Sequence, residues 1–288
     1  MKVVCSILCI LVSLMACQPE PLDVKLEEYE PEIVVSSQVV PDYLMVVGLT
    51  RSFTVLSSAG FQGEGDTALF EQLLVDSALV TIESSLGVDT LFQLSPGLFA
   101  SVNELEDPGG TYHLTVKDYD EGKTATASST MLKNIPFDTV YPYINEEEEL
   151  IKMNVEFTDE KDVPNFYVLS VYSRNTNNGG IDVNTFFENG SNNIEYLELI
   201  TDKEIDGEKI VRDFGLFDVS TKDSLMVSLS NISEGYYSFL VSRERSGNIL
   251  AEVTNEPINY PSNVENGLGY FNTHYPSLQF FDLTSLNE

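Results

Sequence analysis

Any chemistry in this chain has to be done with few of the usual groups. Its 288 residues hold two histidines, His113 and His274, and three cysteines, Cys5, Cys9 and Cys17. Cys5 and Cys9 sit in an apolar leader, which excludes a Cys/His zinc site, and a two-histidine site would need carboxylates to complete it. Both histidines read as plain surface residues, His113 on the outward side of a strand and His274 in a loop. Carboxylates are plentiful, 46 Asp and Glu against 15 Lys and Arg. Acid pairs of the kind that hydrolyse glycosides therefore arise by chance and mark nothing alone. The turns Asp118-Tyr119-Asp120-Glu121-Gly122 and Asp159-Glu160-Lys161-Asp162 offer oxygens to Ca²⁺, but without EF-hand spacing. No G-x-S-x-G elbow, phosphate-cradling loop or dinucleotide fingerprint occurs. The reading is of no catalytic residue, no cofactor and no resident metal.

Cys17 is different. Lys2 is followed by an uncharged apolar run from Val3 to Ala16, too short to cross a bilayer, which takes about 20 residues. It has the proportions of a signal-peptide core, and Pro19 and Pro21 forbid its continuing as a helix. Leu14-Met15-Ala16-Cys17 resembles the lipobox of bacterial lipoproteins. The thiol of Cys17 would take a diacylglycerol, the amine freed by cleavage before it a further acyl chain, and two or more acyl chains anchor a protein stably where one does not. The mature chain would then carry no free thiol and no disulfide. Without Lys2 its formal charge of −31 becomes one unit more negative, which argues against nucleic acid and anionic lipid surfaces as partners.

The elements that would position any site read as β. Residues 1–16 are the signal peptide and 17–31 a proline-bounded, acidic tether. Strands follow at 33–40, 45–50, 78–82, 90–94, 111–116 and 123–130, bounded by Gly, Pro, Asn and Asp. Within 111–116, Tyr112, Leu114 and Val116 share one face, opposite His113 and Thr115. Gly87 and Gly122 supply turns, and 67–75 alone has helical periodicity. Residues 32–132 thus read as an immunoglobulin-like β-sandwich, closing near Met131. Residues 133–288 read as a second β-sandwich-like domain with strands at 150–157, 166–174, 193–200, 209–217, 224–229 and 236–245. The fold class is all-β. Fourteen Tyr and sixteen Phe with no Trp suit β cores first. Tyr141, Tyr143, Tyr260, Tyr270 and Tyr275 lie near turns where exposed rings would stack on a sugar or meet a protein.

Ile33-Val34-Val35 after the tether, Thr50-Arg51-Ser52, Ala78-Leu79-Val80-Thr81-Ile82, Gly110-Thr111-Tyr112-His113-Leu114-Thr115-Val116 and Ala127-Ser128-Ser129-Thr130 follow one another along the chain. So do Phe157-Thr158-Asp159, Pro164-Asn165-Phe166-Tyr167, Phe187-Glu188-Asn189-Gly190, Glu256-Pro257-Ile258-Asn259-Tyr260-Pro261-Ser262-Asn263-Val264 and Gly267-Leu268-Gly269-Tyr270-Phe271. In that order and spacing the chain resembles the DUF4249 lipoproteins of Bacteroidota. The resemblance implies an outer-membrane lipoprotein encoded beside a TonB-dependent transporter, with no catalytic residues to transfer. In the last motif, Gly267 and Gly269 read as a tight turn delivering Tyr270 and Phe271 into a core, with Asn263 bonding backbone nearby. Asp66-Thr67-Ala68, Asp76-Ser77-Ala78, Asp89-Thr90-Leu91, Asp138-Thr139-Val140 and Asp223-Ser224-Leu225 resemble that phylum's acceptor for O-glycans, which would fall on Thr67, Ser77, Thr90, Thr139 and Ser224.

The expectation is a non-enzymatic lipoprotein anchored through Cys17 in the outer membrane, on the cell surface rather than the periplasmic face. It would serve as a binding or accessory subunit of a TonB-dependent nutrient transporter. A structural or adhesin-like surface lipoprotein is the alternative, and a hydrolase a third reading that needs two carboxylates converging in one aromatic cleft.

Overall fold

Alternate burial is what makes the N-terminal half fold. In the computed structural model, which describes residues 30–40, 44–52, 73–105, 108–175, 193–246 and 260–287, Ile33, Val35 and Val39 of β1 (Ile33–Val40) point inward. So do Met45, Val47 and Leu49 of β2 (Leu44–Arg51). The signal segment, Cys17, nearly all of the tether, Thr67 and most of 67–75 lie outside the described residues. The chain continues through β3 (Ala78–Ser84), β4 (Gly87–Thr90), β5 (Phe92–Ser95), β6 (Leu98–Ala100), β7 (Thr111–Asp118) and β8 (Lys123–Thr130). In β7, Tyr112, Leu114 and Val116 are buried and His113 is exposed, as the period-two pattern requires. Gly87 and Gly122 both have positive φ at hairpin turns. The expected strand at 90–94 breaks at the buried Leu91: β4 pairs with β3, and β5 crosses over to pair with β6.

The second half contains β9 (Thr139–Asn145), β10 (Leu150–Thr158), β11 (Phe166–Asn175), β12 (Asn193–Thr201), β13 (Lys209–Leu216) and β14 (Asp223–Ile232). A helix, α1 (Glu234–Ser246), follows, then β15 (Val264–Glu265), β16 (Gly267–Tyr270), β17 (Ser277–Asp282) and a 3-10 helix (Leu283–Asn287). The fold is nearly all β, and among the described residues this helix is the longest departure from it. Two five-stranded sheets, β16-β1-β2-β6-β5 and β15-β8-β7-β3-β4, face one another across one core. A three-stranded sheet β13-β10-β9 and a four-stranded sheet β12-β11-β14-β17 enclose the second. Pro31–Glu288 is one unit.

Three expectations need correction. The first sandwich does not close at Met131, because Val264 and Phe271 return to its core and β15 and β16 extend its two sheets. Left unpaired, the outer edges of β1 and β8 would expose backbone groups that the returning chain satisfies. Second, Gly267-Leu268-Gly269 is not a turn but a parallel strand beside β1. Asn263 does bond backbone there: it exchanges bonds with Phe271 N and O (2.8 and 2.7 Å). Third, residues 236–245 are helical rather than extended. Ser233 caps that helix, its hydroxyl accepting from Tyr236 N–H (3.2 Å), with Glu234 in the first turn, which favours a helix start whatever the β propensity that follows.

Candidate functional site

The residue pattern of β11 and β14 leaves one sheet face unfinished. Tyr167, Leu169 and Val171 of β11 and Leu225, Val227 and Leu229 of β14 fill the second core. The opposite face presents Phe166, Val168, Ser170 and Tyr172 beside Ser228, Ser230 and Ile232. Val168 pairs across the strands with Ser230, and Ser170 with Ser228. Helix α1 covers only the apolar end, packing Leu240, Tyr236, Tyr237 and Phe239 on Phe166, Val168, Leu199 and Ile232. Where serine replaces aliphatic residues, a cleft of about 390 Å³ opens toward Ser37, Gln38 and Val39 of β1, with Arg243 and Glu244 on the helix side. Ser170 and Ser230 are buried residues of its floor. Among the hydrogen bonds of the described residues, none engages the hydroxyls of Ser170, Ser228 or Ser230.

Two linkers hold the cleft's walls. Asn272 extends the β16 pairing past the strand end: its N–H donates to Ser37 Oγ (2.8 Å), and its Nδ2 to Ser37 O (2.7 Å). Thr273 Oγ1 meets Ser129 Oγ at 3.0 Å, and Ser277 Oγ reaches both Asn134 Oδ1 and Ile135 O at 2.6 Å. The outgoing and returning connections therefore run side by side between the sandwiches.

His274, expected at the surface, lies between these anchors. The loop is tied down on both sides, so its ring is pressed against Tyr236, with centroids 5.3 Å apart at 30°. It lines the cleft, and its Nδ1 is sealed from solvent without a partner. Burial pushes the imidazole from its ordinary 6.5 down to about 4. The folded state thus resists a proton that the unfolded chain accepts, and stability falls as pH drops from 6.5 to 4. Allowing for partial exposure, the loss from this group is on the order of 2–3 kcal/mol. Chemical unfolding of wild type and His274→Gln across that interval checks it. The variant, which has no imidazole to titrate, should lose less stability, and parallel curves would refute the burial argument.

The other singled-out residues do not join this cleft. Asp159 meets Asp202 and Asp206, their carboxylate oxygens within 4.8 Å of one another, rather than Asp162 as its turn suggested. Each already accepts from the protein: Asp159 from Tyr167 Oη and Gly207 N, Asp202 from Asn165 N, and Asp206 from Asp162 N. Burial, and then the bond to Asp159, raise the Tyr167 hydroxyl's pKa, which keeps it a donor. The donor type suits a divalent cation, but those bonds account for the cluster as a pin between loops. Asp118 of the other turn is buried and paired with Arg51.

His113 Nδ1 contacts Ser128 Oγ at 2.8 Å as an exposed cross-strand pair, with no carboxylate bonded to it among the described residues. Tyr141 and Tyr260 are exposed, while Tyr270 and Tyr275 are drawn inward against the first core, its neighbours or α1. Tyr143 is held by Asp213. Of the glycan positions, Ser77, Thr90 and Thr139 are exposed. Ser224 is 1 % exposed within β14, so in the folded chain its hydroxyl is out of reach of a modifying enzyme. The cleft itself had no signal in sequence beyond serines at alternate strand positions.

Among the described residues no helix is long and apolar enough to cross a membrane. No curated protein matches the sequence. Among solved structures, a two fibronectin type-III domain segment from chicken tenascin is 13 % identical and aligns over 70 % of this chain and 91 % of its own, with a TM-score of 0.23. A DUF4785 family protein from Legionella pneumophila is 12 % identical over 68 % of this chain and 52 % of its own, with a TM-score of 0.25. The family model described as a domain of unknown function (DUF4249) matches residues 19–275, and the chain belongs to that family.

Proposed function

We propose that this protein is a non-enzymatic outer-membrane lipoprotein, anchored through acyl chains on Cys17 and facing the cell surface, that serves a TonB-dependent transporter as an accessory binding subunit. The observation that carries the binding role is the inter-sandwich cleft. Ligand sites favour such junctions and combine apolar walls with a few fixed polar groups, and here unengaged serine hydroxyls line a floor between tyrosine and leucine side chains. Hydroxyls both donate and accept, so the floor suits a small uncharged polar nutrient. The transporter and the anchor are supported by the lipobox and the family resemblance, which are associations rather than geometry.

The test is recovery of the tagged protein from its own outer membranes in mild detergent, with Cys17→Ala as the placement control. The expected result is near-stoichiometric recovery of a transporter, lost in the control. Recovery of the lipoprotein alone would replace this reading with a structural or adhesin-like role.

A further inference from the structure

One segment of the first sandwich is unlike the rest of the chain. Residues 84–103 contain a single charged residue, Asp89, in a chain with 46 acidic and 15 basic residues. Asp89 is itself engaged by Asn103 N–H (3.2 Å). Five large apolar side chains of the segment face solvent: Leu86 (67 % exposed) and Val88 (66 %) at the edge of one sheet, Phe92 (47 %) and Leu94 (51 %) at the edge of the other, and Val102 (65 %) after β6. Patches of this kind on a soluble surface mark contact sites. Glu83, Glu104 and Asp76, all exposed, lie in the flanking sequence.

Among the described residues no strand pairs with the outer backbone there. β4 and β5 are the last strands of the two sheets among the described residues. Leu91 N–H donates to Val80 O (2.9 Å), which fixes the phase of the β3–β4 ladder. Bonded pairs alternate with unbonded ones in an antiparallel ladder. With Glu83 opposite Val88 and Thr81 opposite Thr90, the N–H and C=O groups of Val88 and Thr90 therefore point away from β3 into the free edge.

We propose that this β4–β5 edge docks an extended strand of another protein, apolar at alternate positions and basic at its flanks. Three occupants compete, and physics separates them. Hydrocarbon would cover the apolar side chains but strip water from the edge's backbone groups without replacing it, at several kcal/mol per group. A second copy would satisfy the edge, but brings another formal charge of −31 to the same place. A strand from a different protein pairs the backbone, covers the apolar side chains beside that edge and, if basic, is drawn by the acidic residues that flank it. The inference goes beyond the proposed function and needs neither the cleft nor a transporter.

The test places a photo-crosslinking side chain at Val88 or Phe92 of the full chain in its native cells, with a control at Phe217, which is 83 % exposed on the second sandwich. The expected result is one discrete adduct at Val88 and Phe92, absent at Phe217, whose linked peptide is an apolar, basic-flanked segment of another protein. A Val88→Pro chain probed at Phe92 removes the outward donor at an edge position where proline is tolerated. It should cut adduct yield about tenfold, the loss of roughly one backbone hydrogen bond, with the unfolding midpoint unchanged. Val88→Ala, which keeps the donor, should cut it about threefold or less. Equal losses in the two variants, adducts with lipid or with the chain's own copies, the same adduct at Phe217, or none would each overturn the proposal.

Discussion

Replacing Gly269 by alanine is expected to cost more than about 4 kcal/mol, the range in which a single change signals a specific steric failure. Gly269 has a φ of +93°, and a Cβ there would stand 2.0 Å from Val35 O and 3.0 Å from Val35 C and N. Those atoms are backbone of β1, paired with Gly269 in parallel register, so no rotamer change relieves the overlap. Either β16 leaves the sheet, exposing Tyr270 and Phe271, or β1 bends and opens the first core. Gly109 is the matched control. Its φ is +89°, but nothing lies within 4 Å of its Cβ position, so Gly109→Ala pays only the left-handed strain of about 1–2 kcal/mol. Urea unfolding of the two variants separates strain from collision, since their φ values nearly coincide. Should the sandwiches melt separately, the Gly269 loss falls on the first transition. Equal costs would mean that β16 is not seated against β1 as described.

The same strand shows where reading the sequence stops. The paired glycines are visible in the sequence and Tyr270 and Phe271 are buried as their pattern implies, yet the partner of Gly269 is Val35, more than two hundred residues earlier. Local spacing says that a backbone must pass close to something or turn tightly, not which. The strands of the first half were legible because each buries one face, so period two survives in Tyr112, Leu114 and Val116 whatever the topology. Helix α1 was lost for the opposite reason. Tyr236, Tyr237 and Phe239 have β-like propensity, and the helical state of the segment rests on the Ser233 cap and on packing against the adjoining Ile232 and the sequence-distant Phe166. The cap was the available signal. His274 departs from the expected surface position because a polar loop ordinarily runs over the surface. This one is held in by Asn272 on Ser37 and by Ser277 on Asn134, bonds between segments that no local pattern links. The cleft inherits that difficulty, since each of its walls comes from a different part of the chain.

Arg51 tests the other kind of legibility, a motif visible in sequence whose reason only the structure supplies. Arg51 ends β2 in one sheet of the first sandwich, and Asp118 ends β7 in the other. Nε and Nη2 of Arg51 donate to Asp118 Oδ2 at 3.2 and 2.9 Å, and Nη1 donates to Leu74 O at 3.2 Å. The remaining oxygen, Asp118 Oδ1, accepts from Asp120 and Glu121 N–H and shapes the β7–β8 turn. The pair therefore fastens the two sheets at one end. Only 1 % of the Asp118 side chain is accessible, so Arg51→Met leaves a buried carboxylate whose charge nothing offsets. Breaking such a pair from one side costs about 3–5 kcal/mol. Arg51→Lys should recover part of that, because an ammonium neutralises the charge but does not span Asp118 and Leu74 together. Asp118→Asn should cost less than Arg51→Met: it keeps the oxygen that shapes the turn and leaves the guanidinium beside Asp120, 3.4 Å away and half exposed. Denaturant titration of the three variants gives the order directly. A loss below about 1 kcal/mol for Arg51→Met, the level of a surface ion pair, would mean that Asp118 meets water or another cation and that the sheets are fastened elsewhere.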